Sequence, residues 1–462
     1  MTARANPEIF KAYDIRGVHG DDLDPEIAQL IGRAFAQVIA ATEGKETSAL
    51  TLGLGRDMRL TAPEMAAAYR DGMVAEGASV LDAGQVGTEM LYFLVGSRDL
   101  DGGLMCTASH NPKRYTGAKL VGRGALALSG DAGIADVRDR IASGLGDPAA
   151  TPGAVTEVDI YGEFQEAALS LIDAQAIKPL KVVVDGGNGM AGPMVGPLLE
   201  RLGLDLSAAY FEPDGNFPDH EPNPLLPENR EFITAEVVQQ GADLGIAWDG
   251  DADRCFFIDD TGRFVDGDFL TALMSESMIA KHAGPPTPTV LFDVRASRAV
   301  ADTAARAGGH SLINRVGHAF FKQRMREVPE AVFGGEVSGH YYFRDFYCAD
   351  SGTLPALLIL ELLSQRSVSM SELLEPYRSH YFISGEINSE VSDQEGKLAE
   401  IAERYSDGRR TDLDGISVDY DDWHFNVRSS NTEPLLRLCL ESLRSPEHMV
   451  AKRDELLGLI RS

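Results

Sequence analysis

The chain has 462 residues, 44% hydrophobic and 24% charged, the balance of a folded globular protein with enough apolar material for three or four cores rather than one. Its 42 Lys and Arg against 71 Asp and Glu give a net charge of −29, which excludes a general nucleic-acid or anionic-membrane surface. Any anionic ligand must then be received by a few arginines gathered locally.

The N-terminus carries no apolar signal core, and the longest apolar tract, Leu354 to Leu363, is interrupted by Glu361, so no membrane span and a cytoplasmic location are expected. Cys106, Cys255, Cys348 and Cys439 lie far apart in or beside apolar or aromatic runs, the pattern of buried free thiols in a reducing compartment.

In chain order, Phe10 to Gly17 reads as a turn or edge strand before a helix from Pro25 to Ala40. A strand from Ala49 to Leu54 runs into Gly55-Arg56-Asp57. Thr61-Ala62-Pro63-Glu64 then reads as a capping box opening a helix whose Met65, Ala68, Tyr69 and Met73 recur at helical spacing. A strand at Ser79 to Asp82 follows. The same strand, polar turn and helix recur at Lys181 to Asp185 with Met194, Leu198, Leu199 and Leu202, and again at Thr289 to Asp293 with Val300 to Ala307 and a strand at Leu312-Ile313. Three such copies predict three similar mixed-sheet α/β domains, with polar turns at the carboxyl ends of buried strands, where ligands gather. The tail alternates Ile416, Val418 and Tyr420, then runs Trp423 to Val427 and Leu435 to Leu440 before a helix from Pro446 to Ile460, predicting a smaller α+β module. The expected boundaries are 1–150, 151–262, 263–373 and 374–462.

Four polar stretches carry the chemistry. Thr107-Ala108-Ser109-His110-Asn111-Pro112 follows the apolar segment Gly103 to Cys106, and Asn111-Pro112 places Ser109 on a turn at a strand end. Asp249-Gly250-Asp251-Ala252-Asp253-Arg254 sets three carboxylates at alternate positions between two apolar strands, a set of hard oxygen ligands for a divalent cation. An EF-hand calcium loop is excluded, because it wants glycine and glutamate where Arg254 and Asp260 stand. Mg²⁺ fits better, since it commonly shares a few carboxylates with phosphate oxygens. A serine hydrolase is disfavoured: Ser109 and His110 are sequence neighbours, which rarely meet as nucleophile and base, and the Gly-x-Ser-x-Gly elbow is missing. A phosphorylated Ser109 beside the metal fits better. Gly335-Glu336-Val337-Ser338-Gly339-His340 offers acceptors and donors at alternate positions, suited to adjacent sugar hydroxyls. Arg428-Ser429-Ser430-Asn431-Thr432 joins a guanidinium to hydroxyls, an amide and turn N–H groups, a natural phosphate nest, with Arg437 as a second cation.

With these four motifs in this order, the whole chain resembles the α-D-phosphohexomutase superfamily, and within it the bacterial phosphomannomutase/phosphoglucomutase group. The resemblance implies three α/β domains and a C-terminal α+β domain around a central active-site cleft. It implies interconversion of hexose 1-phosphate and hexose 6-phosphate, of mannose and/or glucose, through a phosphoserine enzyme and a hexose 1,6-bisphosphate that reorients in the cleft. By position, Ser109 becomes the phosphoserine and joins Asp249, Asp251 and Asp253 as metal ligand, while His110, Lys119, Arg254 and His340 complete the catalytic set. Tyr13, Arg16, Arg295, His318, Glu336, Ser338, His340, Arg428, Ser429, Asn431, Thr432 and Arg437 become substrate-binding. Mg²⁺ is the implied cofactor, hexose 1,6-bisphosphate the activator, and a monomer or weak homodimer the expected state. Glucosamine phosphate as substrate, or a metal-dependent sugar-phosphate phosphatase, are the alternatives.

Overall fold

A computed structural model describes residues 5–130, 133–430 and 434–462. The chain divides into two compact units, Met1–Val265 with Ser338–Ser369, and Asp266–Val337 with Met370–Ser462.

The first unit holds two sheets. One has six strands in the order Ile15–Val18, Tyr115–Gly122, Gly102–Cys106, Thr51–Arg56, Ser79–Gln85 and Val155–Glu157. Its last four strands are parallel, while Tyr115–Gly122 runs against both of its neighbours. The core beneath it is built from the helix Pro25–Glu43, whose Ile27, Ile31, Phe35 and Ile39 are buried, and from Ala62–Ala75, which buries Met65, Tyr69 and Met73. Those two helices cross at glycines: a Cβ on Gly32 would stand 2.1 Å from the Tyr69 carbonyl oxygen, and one on Gly72 2.1 Å from that of Gln29. The predicted capping box at Thr61 is not formed. Thr61 already has helical torsions (φ −82°, ψ −16°), so its hydroxyl makes no capping bond to the turn above.

The second sheet orders Cys255–Asp259, Leu244–Trp248, Lys181–Asp185 and Asp205–Ala209, with only Cys255–Asp259 antiparallel. Every residue of Leu244–Trp248 is buried, as a strand covered on both faces requires. A short hairpin, Tyr341–Phe343 with Ala349–Asp350, precedes the helix Thr353–Arg366.

In the second unit Thr289–Asp293 pairs in parallel with both His310–Asn314 and Ala331–Gly335, flanked by Gly267–Lys281, Ala299–Arg306 and His318–Glu327. The C-terminal sheet is antiparallel around Leu435–Ser442, which pairs with Trp423–Ser429 on one side and with Phe382–Ile383 and Ile387–Glu390 on the other. The helices Gln394–Arg404 and Pro446–Ile460 supply Ile401, Leu456 and Ile460 to its core. The chain thus has the expected three α/β domains and a C-terminal α+β domain. Among the described residues no helix is long and apolar enough to cross a membrane.

Candidate active site

Each motif leaves the carboxyl end of a strand. After Gly102–Cys106 the chain turns at Ala108 to Asn111, where the Asn111 N–H donates to the Ala108 carbonyl at 3.0 Å. Ser109 sits there with φ +50°, a left-handed conformation that costs a non-glycine residue about 1–3 kcal/mol. Two features hold it. Thr107 Oγ1 accepts from Ser109 N at 2.8 Å, and the buried Arg59 guanidinium donates to the carbonyls of Ser109, Asn111, Pro112 and Tyr115 at 2.5–3.2 Å.

Ser109 Oγ donates to Asp249 Oδ2 at 3.0 Å and lies 3.1 Å from His110 Nδ1. The two sequence neighbours therefore do meet, contrary to expectation, because the left-handed Ser109 curls its side chain back toward the ring. Burial, and then the nearby Arg254 and Arg16, hold His110 well below its ordinary range, so the ring is neutral.

Asp249, Asp251 and Asp253 are each at most 1% exposed, and one ligand oxygen from each lies within 4.8 Å of the others. Lys119 Nζ donates to Asp251 Oδ2 at 2.6 Å and to Asp253 Oδ2 at 2.5 Å, and Thr88 Oγ1 donates to Asp251 Oδ2 at 2.5 Å. Burial alone would lower the lysine pKa. The surrounding aspartates outweigh it and raise it, so the ammonium is permanent. Asp253 is pushed up to about 6 by burial and by the charge of Asp251. Asp251 is held low because Lys119 outweighs its burial. Arg254 donates through Nε to Asp249 Oδ2 at 2.8 Å and through its backbone N–H to Oδ1 at 3.2 Å. Asp251 Oδ1 and Asp253 Oδ1 are buried with no hydrogen-bond partner among the described residues. Orphaned carboxylate oxygens beside convergent hard donors fit a divalent cation. The loops meet closely: a Cβ on Gly250 would stand 2.7 Å from the Ser109 carbonyl oxygen.

The first unit brings two further expected residues to this cluster. Arg16 donates to Asp14 at 2.6 Å and to Asn111 Oδ1 at 2.5 Å, and feels the charges of Asp251 and Asp253. His340 Nδ1 lies 3.0 Å from Oδ2 of the fully buried Asp350, and His340, Asp350 and Asp253 each offer an atom within the same 4.8 Å. A carboxylate facing Nδ1 favours the tautomer that carries the proton there and keeps Nε2 as acceptor. Tyr13 is half-buried just before Ile15–Val18, and Ser338 is half-buried on the turn before His340.

The second unit gathers the arginines. Arg295 makes a two-pronged pair with Asp293, Nε to Oδ1 at 3.0 Å and Nη2 to Oδ2 at 2.8 Å, and its Nη2 lies 3.6 Å from Glu336. Glu336 also accepts from the Gly317 N–H at 3.0 Å, which ties it to the turn carrying His318, the first residue of His318–Glu327. Arg428 and Ser429 are the last two residues of a strand rather than part of a loop, since both continue the ladder, Arg428 opposite Arg437 and Ser429 opposite Leu436. Arg428 and Arg437 converge on Glu386 at 3.2 and 3.0 Å, and Arg437 lies 3.4 Å from Ser430 Oγ. Asn431 and Thr432 lie outside the described residues.

Sequence reasoning missed Arg59, Thr88, Asp350 and Glu386. Arg59 had a visible signal, an arginine two residues after the aspartate that ends Gly55-Arg56-Asp57. Thr88 and Glu386 act through partners far away in sequence, and Asp350 faces His340 only once the chain has folded back as a hairpin, so none leaves a local pattern.

Models of the phosphoglucomutase/phosphomannomutase family match throughout: alpha/beta/alpha domain I over residues 7–144, domain II over 161–262, domain III over 266–380 and the C-terminal domain over 386–457. The chain is 42% identical over 458 residues to phosphohexose mutases of Xanthomonas campestris pv. campestris, covering 98% of this chain and 99% of the relative. It is 39% identical over 461 residues to the phosphomannomutase of Escherichia coli (strain K12), covering 98% of each. A crystal structure of a phosphoglucomutase/phosphomannomutase family protein from Burkholderia thailandensis superimposes with a TM-score of 0.88 at 32% identity, over 99% of this chain and 97% of that one. The chain belongs to the phosphoglucomutase/phosphomannomutase family and is a phosphohexomutase.

Proposed function

We propose that this phosphohexomutase interconverts the 1- and 6-phosphates of mannose and glucose through a phosphoryl group carried on Ser109. The observation that carries the reading is the contact of Ser109 Oγ with Asp249 inside a buried triad of aspartates. Asp249, Asp251 and Asp253, with an oxygen of the Ser109 phosphoryl group, are the residues to hold Mg²⁺. Bound there, the ion supplies positive charge to a phosphoryl group in transfer.

The protein's own groups do the rest. Lys119, permanently charged, offers protons to oxygens gathering negative charge, and Arg254 adds a second cation on the same side. His340, its Nδ1 fixed by Asp350, presents a basic Nε2 to the attacking sugar hydroxyl. The phosphoryl group passes from Ser109 to the free O1 or O6, leaving the serine oxygen as the departing group and forming a hexose 1,6-bisphosphate. The intermediate then presents its other phosphate to Ser109. Arg428 and Arg437 grip the phosphate that is not reacting, with Ser429, Asn431 and Thr432 adding donors. Arg295, His318, Glu336, Ser338, Tyr13 and Arg16 order the sugar.

Incubation with mannose 1-phosphate, Mg²⁺ and a trace of hexose 1,6-bisphosphate tests this. The expected product is the 6-phosphate. Release of inorganic phosphate in its place would make the protein a phosphatase and overturn the reading.

A further inference from the structure

Within the C-terminal sheet, Arg428 and Arg437 stand directly opposite each other on neighbouring antiparallel strands. Like charges at such a pair repel. The carboxylate of Glu386 lies against both, with Oε2 3.2 Å from Arg428 Nη2 and Oε1 3.0 Å from Arg437 Nη1. Oε2 is also 3.2 Å from Arg295 Nη1. Three guanidiniums thus surround one carboxylate, which they pull down to about 2 against its burial.

The backbone is bent to deliver this side chain. Ile383 faces Glu441 and Ile387 faces Leu438 across the same partner strand, so Ser384, Gly385 and Glu386 face only Leu440 and Cys439. That is a β-bulge, with Gly385 in the left-handed region at φ +67° and Ser384 Oγ taking up the Leu440 N–H at 2.9 Å. Bulges of this kind re-aim a side chain next to a functional site.

Three features mark the contact as exchangeable. At 3.0–3.2 Å it is no tighter than the 2.8–3.0 Å pair between Arg295 and Asp293, and looser than usual for charge-assisted bonds. Glu386 is 24% and Arg437 25% exposed, so an anion from solvent can reach them. Arg428 is only 6% exposed, and its Nε has no hydrogen-bond partner among the described residues, a donor in reserve for a ligand with more oxygens than a carboxylate.

Building on the assignment of these arginines to the non-reacting phosphate, we propose that Glu386 is an internal stand-in for that phosphate. It occupies the arginine cradle when the substrate is away and is displaced when the substrate's phosphate enters. The cradle is thereby kept in register without ligand, and the affinity for phosphate is held down by a tethered competitor. For a bisphosphate that must let go of one end and offer the other, weaker grip is the useful property.

The test is Glu386→Gln in the full chain, which keeps shape and hydrogen bonding and removes the charge. The readouts are the dissociation constant of inorganic phosphate, measured by calorimetry without turnover, and the KM for hexose 1-phosphate. Both are expected to fall roughly tenfold, since a competing charge-assisted contact is lost, and the gain is expected to vanish in the Glu386→Gln/Arg437→Ala double variant. Unchanged or weaker phosphate affinity in a variant that unfolds like wild type overturns the proposal, because a merely structural counter-ion would loosen the cradle when neutralised. Should Glu386→Gln fail to fold, Glu386→Asp, which withdraws the charge by one methylene, is expected to tighten phosphate less strongly, and no tightening there refutes it too. A wild-type protein without mutase activity would overturn the proposed function alone, as the comparison of phosphate affinities still decides the role of Glu386.

Discussion

Around Asp251 and Asp253 a lysine ammonium sits among carboxylates, while around Arg428 and Arg437 a glutamate carboxylate sits among guanidiniums. Both clusters offset part of their charge with a side chain of opposite sign, but the details diverge. Lys119 and its partners are at most 6% exposed and the bonds are 2.5–2.6 Å, whereas Glu386 is a quarter exposed and its bonds are 3.0–3.2 Å. Desolvation strengthens charge interactions and fixes geometry, which suits a place where bonds are made. Partial hydration weakens them, which suits a place where an anion must come and go.

That contrast can be broken most severely at the nucleophile. Ser109→Ala is expected to lower turnover by roughly 10⁴-fold or more while leaving the affinity for hexose 6-phosphate near wild type. A coupled assay with parallel calorimetry checks this, and retained turnover would remove Ser109 as the phosphoryl carrier. Lys119→Met comes next, with kcat down by roughly 10²–10³-fold, the usual scale for a lost hydrogen-bond donor to charge developing in the transition state; an effect confined to KM would place Lys119 outside the chemistry. At the other cluster Arg428→Ala should do the reverse, raising KM by roughly 10–100-fold at the cost of about 1.5–3 kcal/mol of charge-assisted bonding, with kcat less affected. A large loss in kcat at constant KM would erase the distinction between the two regions.

The smallest expected effect is one of pH. Burial pushes Glu89 up to about 8 from the ordinary 4.5, against the pull of donors from Ser351 and Thr353. Between those two values the folded chain holds a proton that the unfolded chain has released, so stability falls as pH rises through that window. Glu89→Gln is expected to flatten this part of the profile, measured as the urea midpoint at pH 5 and pH 8.5. An unaltered slope would show that the buried carboxyl is not its source. Glu386, held near 2, has the opposite sign: it contributes stability above 4.5 and loses it as pH falls toward 2.

Strands that are wholly or almost wholly buried were readable from sequence almost residue by residue, as Lys181–Asp185, Leu244–Trp248 and Thr289–Asp293 are, because a continuous apolar run has few other ways to be covered. So were the residues whose partners lie within a few positions, such as the aspartate triad with Arg254. What stayed hidden depends on pairing across the fold. Thr88 reaches Asp251 from 163 positions away, and Glu386 reaches Arg428 from 42. The bulge that aims Glu386 is legible only as Ser384-Gly385, a dipeptide found in many ordinary turns. The false capping box at Thr61 shows the opposite error, a local pattern overruled by the path of the backbone.

The lack of room for a Cβ between Gly250 and the Ser109 carbonyl oxygen has a practical corollary. One added methyl group at position 250 would act as a wedge between nucleophile and acidic ligands, prising them apart while every charged group stayed in the sequence. Position 250 is therefore where the smallest possible side chain could silence this enzyme without removing the nucleophile, a ligand or a charge from the chain.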